Sequence, residues 1–406
     1  MIFRQSEAVP IRVVDTKSWS KYLKEMIERI NILWILILLS GSCKLLVDEP
    51  TFTPVNISNR GYEAEDPDIV VDKEGTLHVI WSEYHSDGEL IFYTMKPLGG
   101  EWTEPESLTP KTRGARNPKL AVDNNGNLHA IWQQSVPQYH WVLIHRMRLQ
   151  NGEWSAPDTL FGYGNSVIPS IIVDNENTIH VIWFEWPQLY NGDLFYSFRE
   201  QSGRWHIPIR LTNTPGDENH YGFVIDDQSN LHIIAGPNTI NVEDVPLFHF
   251  IGRKFTWRCD TIAIVLYPNP ITLTKDIYGN LHLFVQTSHM YFEGDTFPAE
   301  GTYWLMKPEG ENIWTKPQMV TGGVELKAVA DSMGNVYIFV NTWGSSLCYR
   351  KRTPDGKWTK PCRIGRIYSG MSAAYNYMDN SLNVVFIDIP DDLGVEQLYY
   401  VHIPNP

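Results

Sequence analysis

"DKEGTLHVIW", Asp72–Trp81, places a histidine inside an apolar run directly after an acidic, glycine-containing turn. One Asp–His pair at this spacing would suit catalysis or a metal. The rest of the chain points elsewhere. "DNNGNLHAIW" begins at Asp123, "DNENTIHVIW" at Asp174, "DDQSNLHIIA" at Asp226, "DIYGNLHLFV" at Asp276 and "DSMGNVYIFV" at Asp331; "DNSLNVVFID", from Asp379, is a worn last copy. The copies fall roughly every fifty residues, and self-similarity at a fixed period marks a repeat architecture. The histidine recurs as His78, His129, His180, His232 and His282. Catalysis needs such a residue once, so the set is read as structural.

Each repeat carries four strand-like segments. In the first they are "DPDIVVD" (Asp66–Asp72), "LHVIWSE" (Leu77–Glu83), "LIFYTMK" (Leu90–Lys96) and "WTEPESL" (Trp102–Leu108), rich in β-formers and separated by turn residues. The fourth segment recurs with its tryptophan at Trp154, Trp205, Trp257, Trp314 and Trp358, and with a proline in all but the Trp257 copy. Proline is tolerated on a sheet edge, which places this segment outermost. A four-stranded sheet cannot bury both faces alone, but several arranged radially bury them against one another. The first segment then lines a central channel, and the recurrent tryptophan packs between sheets. The last repeat stops at its third segment, "QLYYVHI" (Gln397–Ile403), while "TFTPVNI" (Thr51–Ile57) stands before the first with Pro54 and Ile57 in the places of Pro105 and Leu108. The expectation is all-β: residues 47–406 form one closed seven-bladed β-propeller whose N-terminal strand completes the last blade.

Composition narrows the function. The net charge is -14 and no basic stripe is present, which argues against nucleic acid as a partner. Residues 1–46 read as an export signal and tether. Lys17, Lys21, Lys24 and Arg29 precede "INILWILILL" (residues 30–39) and "SGSC", ending at Cys43, the charge–apolar–small order of a signal peptide. Its end resembles a bacterial lipoprotein signal with Cys43 as the lipidated residue, although Leu39 lies one position too early. Cleavage after Ser42 and an uncleaved anchor stay open, as do Met1 and Met26 as starts. The localisation expected is exported, in the bacterial cell envelope, with membrane contact only through the N-terminal lipid, and the chain is expected to be a monomer. Cys348 and Cys362 flank Asp355 symmetrically, so a hairpin there would set them opposite each other as a disulfide or leave two separate core thiols. No cysteine or histidine spacing fits zinc, and no metal site or cofactor is expected. Calcium stays open, because "DKEGTLH" and "DNNGNLH" offer hard oxygens without EF-hand spacing.

The hairpins "GGEWTEP", "NGEWSAP", "SGRWHIP" and "TPDGKWTKP" resemble the Asp-box (BNR) repeats of sialidase-like propellers, with "TPDGKW" (Thr353–Trp358) nearest. The resemblance spans about residues 51–403 and extends to exported bacterial propellers with "DxxGNLHVxW" repeats. It implies the propeller fold. Sialidases of that family carry an arginine triad, an Asp acid and a Tyr–Glu pair. The Phe-Arg-Ile-Pro-like motif of their first arginine is absent here, and "NRGYEAEDP", with Arg60, stands nearest to it.

In such a propeller one face collects the loops entering each first strand and those joining second to third strands. These loops differ from blade to blade, whereas the "DxxG" turns on the opposite face are uniform. They converge Arg60, Glu83, Arg116, His140, Glu185, Trp186, Tyr190, His220, Tyr221 and Trp343 toward one mouth. Aromatic faces with carboxylates and arginines suit sugars. The leading reading is a surface protein that binds a glycan or a cell-surface protein there. The alternative is a carbohydrate-active enzyme, a sialidase-like glycoside hydrolase or a polysaccharide lyase. Glu65, Asp66, Glu83, Glu185, Asp217 and Glu218 supply carboxyls for hydrolysis; His140, His220 or Tyr221 supplies a base for elimination. A scaffold role is the third reading. Gln286–Gly301, the longest of these loops, is the first place to seek a partner contact.

Overall fold

The computed structural model describes residues 52–406, apart from positions 87, 111–113, 138–139, 161–163, 187–191, 202, 215, 238–243, 343 and 391–393. The export segment and Cys43 lie outside the described residues. Every regular element among those described is a strand, and the strands form seven antiparallel sheets. Blade 1 runs Ala64–Val71, Leu77–His85, Gly88–Lys96 and Glu106–Ser107; blade 2 runs Ala115–Val122, Leu128–Val136, His140–Arg148 and Asp158–Leu160; blade 3 runs Asn165–Val173, Ile179–Trp186, Asp193–Arg199 and Ile209–Arg210. Blade 4 begins Tyr221–Ile225, Leu231–Ala235, Val245–Arg253 and Thr256–Leu266; blade 5 runs Ile271–Lys275, Leu281–Thr287, Gly301–Lys307 and Gln318–Thr321. Blade 6 runs Glu325–Ala330, Val336–Thr342, Ser346–Arg352 and Cys362–Arg366. Blade 7 takes Ser369–Asn376, Ser381–Asp388 and Gln397–Pro404, and its fourth strand is Val55–Asn56, with Val55 opposite Tyr400. The protein is a seven-bladed β-propeller.

The core is divided among the blade interfaces. Ile69, Trp81 and Leu90 of blade 1 pack with Val385, Leu398 and Tyr400 of blade 7, and comparable clusters fill the other interfaces. Polar anchors organise each interface and explain the repeated histidine. Asp72 Oδ1 accepts the backbone N–H groups of Glu74 and Thr76 at 3.0 and 2.7 Å, closing the turn. Its Oδ2 meets His78 Nε2 at 3.1 Å, and His78 Nδ1 meets the Tyr93 hydroxyl at 2.7 Å. Trp154 of the next blade stands edge-on to Tyr93, ring centres 5.2 Å apart. Blade 3 repeats the chain as Asp174, His180, Tyr196 and Trp257, blade 4 as Asp226, His232, His249 and Trp314, and blade 5 as Asp276, His282, Trp304 and Trp358. Each histidine thus ties a turn to two strands, and each outer-strand tryptophan binds its blade to the one before.

Two details differ from the sequence expectation. The Arg352–Trp358 bridge keeps the register of a hairpin centred on Asp355, but farther from the turn Tyr349 pairs with Cys362 and Cys348 with Arg363, a shift of one residue. That one-residue offset puts the two thiols on opposite faces of the sheet, and they form no disulfide. The long Gln286–Gly301 segment is not an open loop. It folds into a hairpin, His289–Phe292 and Asp295–Phe297, which pairs with Thr256–Leu266 and widens blade 4 to six strands. The reason is legible in blade 4's outer segment. Its strand, Thr256–Leu266, runs 11 residues, and the hairpin pairs with its last three, Ile264–Leu266, beyond the place where the other outer segments carry proline.

Candidate functional site

The mouth is shaped by bulges in the first strands. The pairing of blades 1, 2 and 3 slips between Glu65 and Asp68, Arg116 and Lys119, and Val167 and Ser170. Asp66, Asn117 and Ile168 occupy these bulges with φ near +50°. The Asp66 carboxylate accepts the Asn117 backbone N–H at 3.1 Å, and the Gln133 side-chain oxygen accepts that of Ile168 at 2.9 Å. The unusual backbone recurs from blade to blade and therefore belongs to the fold.

Around it, the structure sorts the residues read from sequence. Glu83 and Glu185 are fully buried. Each accepts the indole N–H two residues back, from Trp81 at 2.9 Å and from Trp183 at 2.7 Å. Ser166 also donates to Glu185 at 2.9 Å. Trp132 and Gln134 make the same contact in blade 2, at 3.4 Å, so the recurrent Trp-x-Glu/Gln is a blade-internal tie. Glu83 also meets His85 at 3.0 Å and Arg60 at 3.4 Å, and burial still holds its pKa above the ordinary carboxylate value. The Arg60 guanidinium lies over the Phe92 ring at 4.3 Å.

Arg116 is placed differently. Its guanidinium pairs with Glu89, donates to the Tyr84 hydroxyl at 2.5 Å, and lies 5.4 and 5.9 Å from the centres of the Tyr84 and Trp141 rings. Here an arginine, a carboxylate and two aromatic faces meet between blades 1 and 2. Glu65 is half-buried and lies within electrostatic reach of this cluster. Burial, then the charges of Asp66 and Glu396, raise its pKa to about 7, with Arg116 opposing and Glu89 adding to the rise. A carboxyl whose burial and acidic neighbours raise its pKa to about 7 is in the usual setting of a general acid.

The remaining residues are more dispersed. Trp186 ends its strand half-buried and edge-on to Phe184, ring centres 4.7 Å apart. Tyr221 opens blade 4 and donates its hydroxyl to the Ile168 carbonyl at 2.6 Å, reaching across to blade 3. His220 is half-buried, which lowers its pKa. His140 begins the third strand of blade 2, with its side chain outside the described residues, as are Tyr190 and Trp343. Glu218 is fully buried on Thr212, at 2.8 Å, and Thr214. Tyr84, Glu89, Trp141 and Glu396 were not singled out from sequence. Their non-uniform loops were visible, but nothing in those loops marks which residues meet across blades.

No family model matches the chain, and no curated protein matches it in sequence. Solved structures match it in fold. An α-L-arabinanase of Penicillium chrysogenum, solved with arabinobiose, shares 13% identity over 88% of this chain and 99% of its own, with a TM-score of 0.54. A PL25 ulvan lyase, solved bound to -[GlcA(1-4)Rha3S]-, shares 11% identity over 85% and 94%, with a TM-score of 0.53. A protein of unknown function from Dyadobacter fermentans shares 12% over 88% and 98%, also at 0.53. At these identities the likeness is one of fold. Propellers in this structural neighbourhood include carbohydrate-active enzymes.

Proposed function

We propose that the chain is an exported carbohydrate-active enzyme, most simply a glycoside hydrolase, acting at the mouth where blades 7, 1 and 2 meet. The observation that carries this reading is the clustering of Glu65 with Asp66, Glu89, Glu396 and Arg116 beside the Tyr84 and Trp141 rings. A glycosidic bond breaks when one carboxylic acid protonates the leaving oxygen and a second, ionised carboxylate assists at the sugar carbon. Glu65 supplies the first, since it keeps its proton near neutral pH. Asp66 or Glu89 supplies the second. The rings offer faces for a sugar, and Arg116 suits an anionic or hydroxyl-rich one. The fold shared with glycan-cleaving enzymes supports this reading over the binding-only one suggested by the sequence. The chain reaches its substrate outside the cell through the residue 1–46 signal, with Cys43 as the lipid anchor.

The second reading, binding without cleavage, is favoured by one contact: Glu89 is already tied to Arg116. One experiment separates them. The protein is incubated with a glycan panel headed by arabinan and ulvan, and retention, chain length and end-group saturation are read by mass spectrometry. Shortened, saturated products that fall about 100-fold in Glu65→Gln establish hydrolysis. Unsaturated ends would indicate a lyase, and retention without shortening a lectin. The absence of both retention and cleavage would overturn the site.

A further inference from the structure

Below the mouth, the first strands enclose a cavity of about 300 Å³ lined by Asp68, Lys119, Ser170, Thr272 and Lys327 among others. Register shows that these residues share one level. Asp68 is opposite Ile80, Lys119 opposite Ile131, Ser170 opposite Ile182, Thr272 opposite Phe284 and Lys327 opposite Phe339. Those partners are the equivalent position of successive second strands. Ser372, opposite Val385, completes the level in blade 7. The ring is therefore built from one position of the repeat, and its chemistry does not repeat: a carboxylate, two ammoniums and three hydroxyls.

The carboxylate is fully engaged by the protein. Asp68 is buried; its Oδ1 accepts the Ser372 hydroxyl at 2.8 Å and its Oδ2 the Leu120 backbone N–H at 3.0 Å. Toward the mouth, Asp66 is held by the Asn117 N–H. The ammoniums are not engaged. Neither Lys119 nor Lys327 has a carboxylate within salt-bridge distance among the described residues, although surface lysines such as Lys254, at 2.6 Å from Glu200, do. At this level two lysines stand against one carboxylate, in a chain whose net charge is -14. Desolvation lowers the Lys327 pKa, Asp68 opposes this and Lys119 adds to it, so the three groups interact. A confined, uncompensated ammonium is costly unless a counter-charge joins it.

We propose that this ring binds one small inorganic oxyanion, of phosphate or sulfate size, between the Lys119 and Lys327 ammoniums, with the Ser170 and Thr272 hydroxyls as further donors. The site lies inside the ring of blades and does not rest on the glycan reading of the mouth. The anion would link blades 2, 3, 5 and 6 across the channel.

The test titrates the full chain with sodium phosphate and sodium sulfate against sodium chloride at matched ionic strength, read by thermal unfolding and calorimetry. The expected result is a saturable rise in Tm with one oxyanion per chain. Lys119→Met and Lys327→Met each weaken binding at least about tenfold, and the double variant loses the rise. An equal rise in wild type and double variant, or no saturable rise in wild type, overturns the site. Should the double variant fail to fold, crystals of the wild-type protein grown with selenate decide the matter. An anomalous peak between the two Nζ atoms supports the site, and its absence at saturating selenate overturns it.

Discussion

Glu65 and Glu83 belong to the same pair of strands, and their surroundings separate their roles. Glu83 is buried among donors from Trp81, His85 and Arg60; Glu65 is half-buried among other carboxylates. Activity on a cleaved glycan should therefore fall as pH rises through about 7, where Glu65 loses its proton. Stability moves the same way. The folded pKa lies above the unfolded one, so ionisation penalises the native state as pH rises from the ordinary glutamate range through about 7. Glu65→Gln should be about 100-fold less active yet more stable than wild type at pH 8, by about 1 kcal/mol after solvent screening, measured by urea unfolding at pH 5 and pH 8. A gain that is equal at both pH values would contradict the assignment. Asp123 has the opposite sign. Burial raises its pKa, but His129 and Asn127 outweigh that and bring it to about 2. Its stabilisation is complete above the ordinary Asp value and fades as pH falls toward about 2. His180→Leu would remove a buried partner from the Tyr196 hydroxyl and from the Asp174 carboxylate, which keeps Arg253 at 2.9 Å, and should cost about 1–3 kcal/mol by the same unfolding assay. The recurrence of the histidine disclosed its role in advance. The isolated glutamates carried no such label, because a carboxyl's surroundings come from loops of other blades.

Strands were the most legible elements, since alternation and the Trp-x-x-Pro rhythm state both their existence and their order. The blade 4 hairpin was hidden by its own composition. Polar and aromatic residues in Gln286–Gly301 read as a mouth loop until the edge it covers is known. Its docking is substantial: Met290 is fully buried and Phe292 nearly so, in the cluster shared by blades 4 and 5. Met290→Ala should cost about 2–4 kcal/mol and should speed hydrogen exchange across Thr256–Leu266 more than in other outer strands. Unchanged exchange there would mean that the hairpin rests on the sheet without supporting it. The cysteine pair illustrates the same limit. Equal spacing from a turn assumes an unbroken ladder, and a one-residue shift between the Arg352–Trp358 bridge and the Tyr349–Cys362 pair reverses the face.

For the molecule as a whole, the repeat count and the missing last strand were enough to anticipate a ring of blades. What a repeat cannot announce is the contents of its channel and mouth, where each copy diverges. The join between the ends is small and specific. Besides the Val55–Asn56 pairing, the Ser58 hydroxyl reaches Gln397 at 3.3 Å and accepts the Leu398 N–H at 3.0 Å. Ile57 is buried in the cluster between blades 7 and 1. Ile57→Asp should open this seam, lowering Tm by several degrees and exposing Gln397–Pro404 to limited proteolysis. An unaltered cleavage pattern would show that the other interfaces suffice. The join also imposes a schedule. Ser58 and Gln397 are 339 residues apart in the chain, so during synthesis at ordinary rates the first partner precedes the second by roughly 17–70 s. For that interval the nascent chain carries an unfilled seat for Gln397–Pro404, and the circle can close only once that strand has been made.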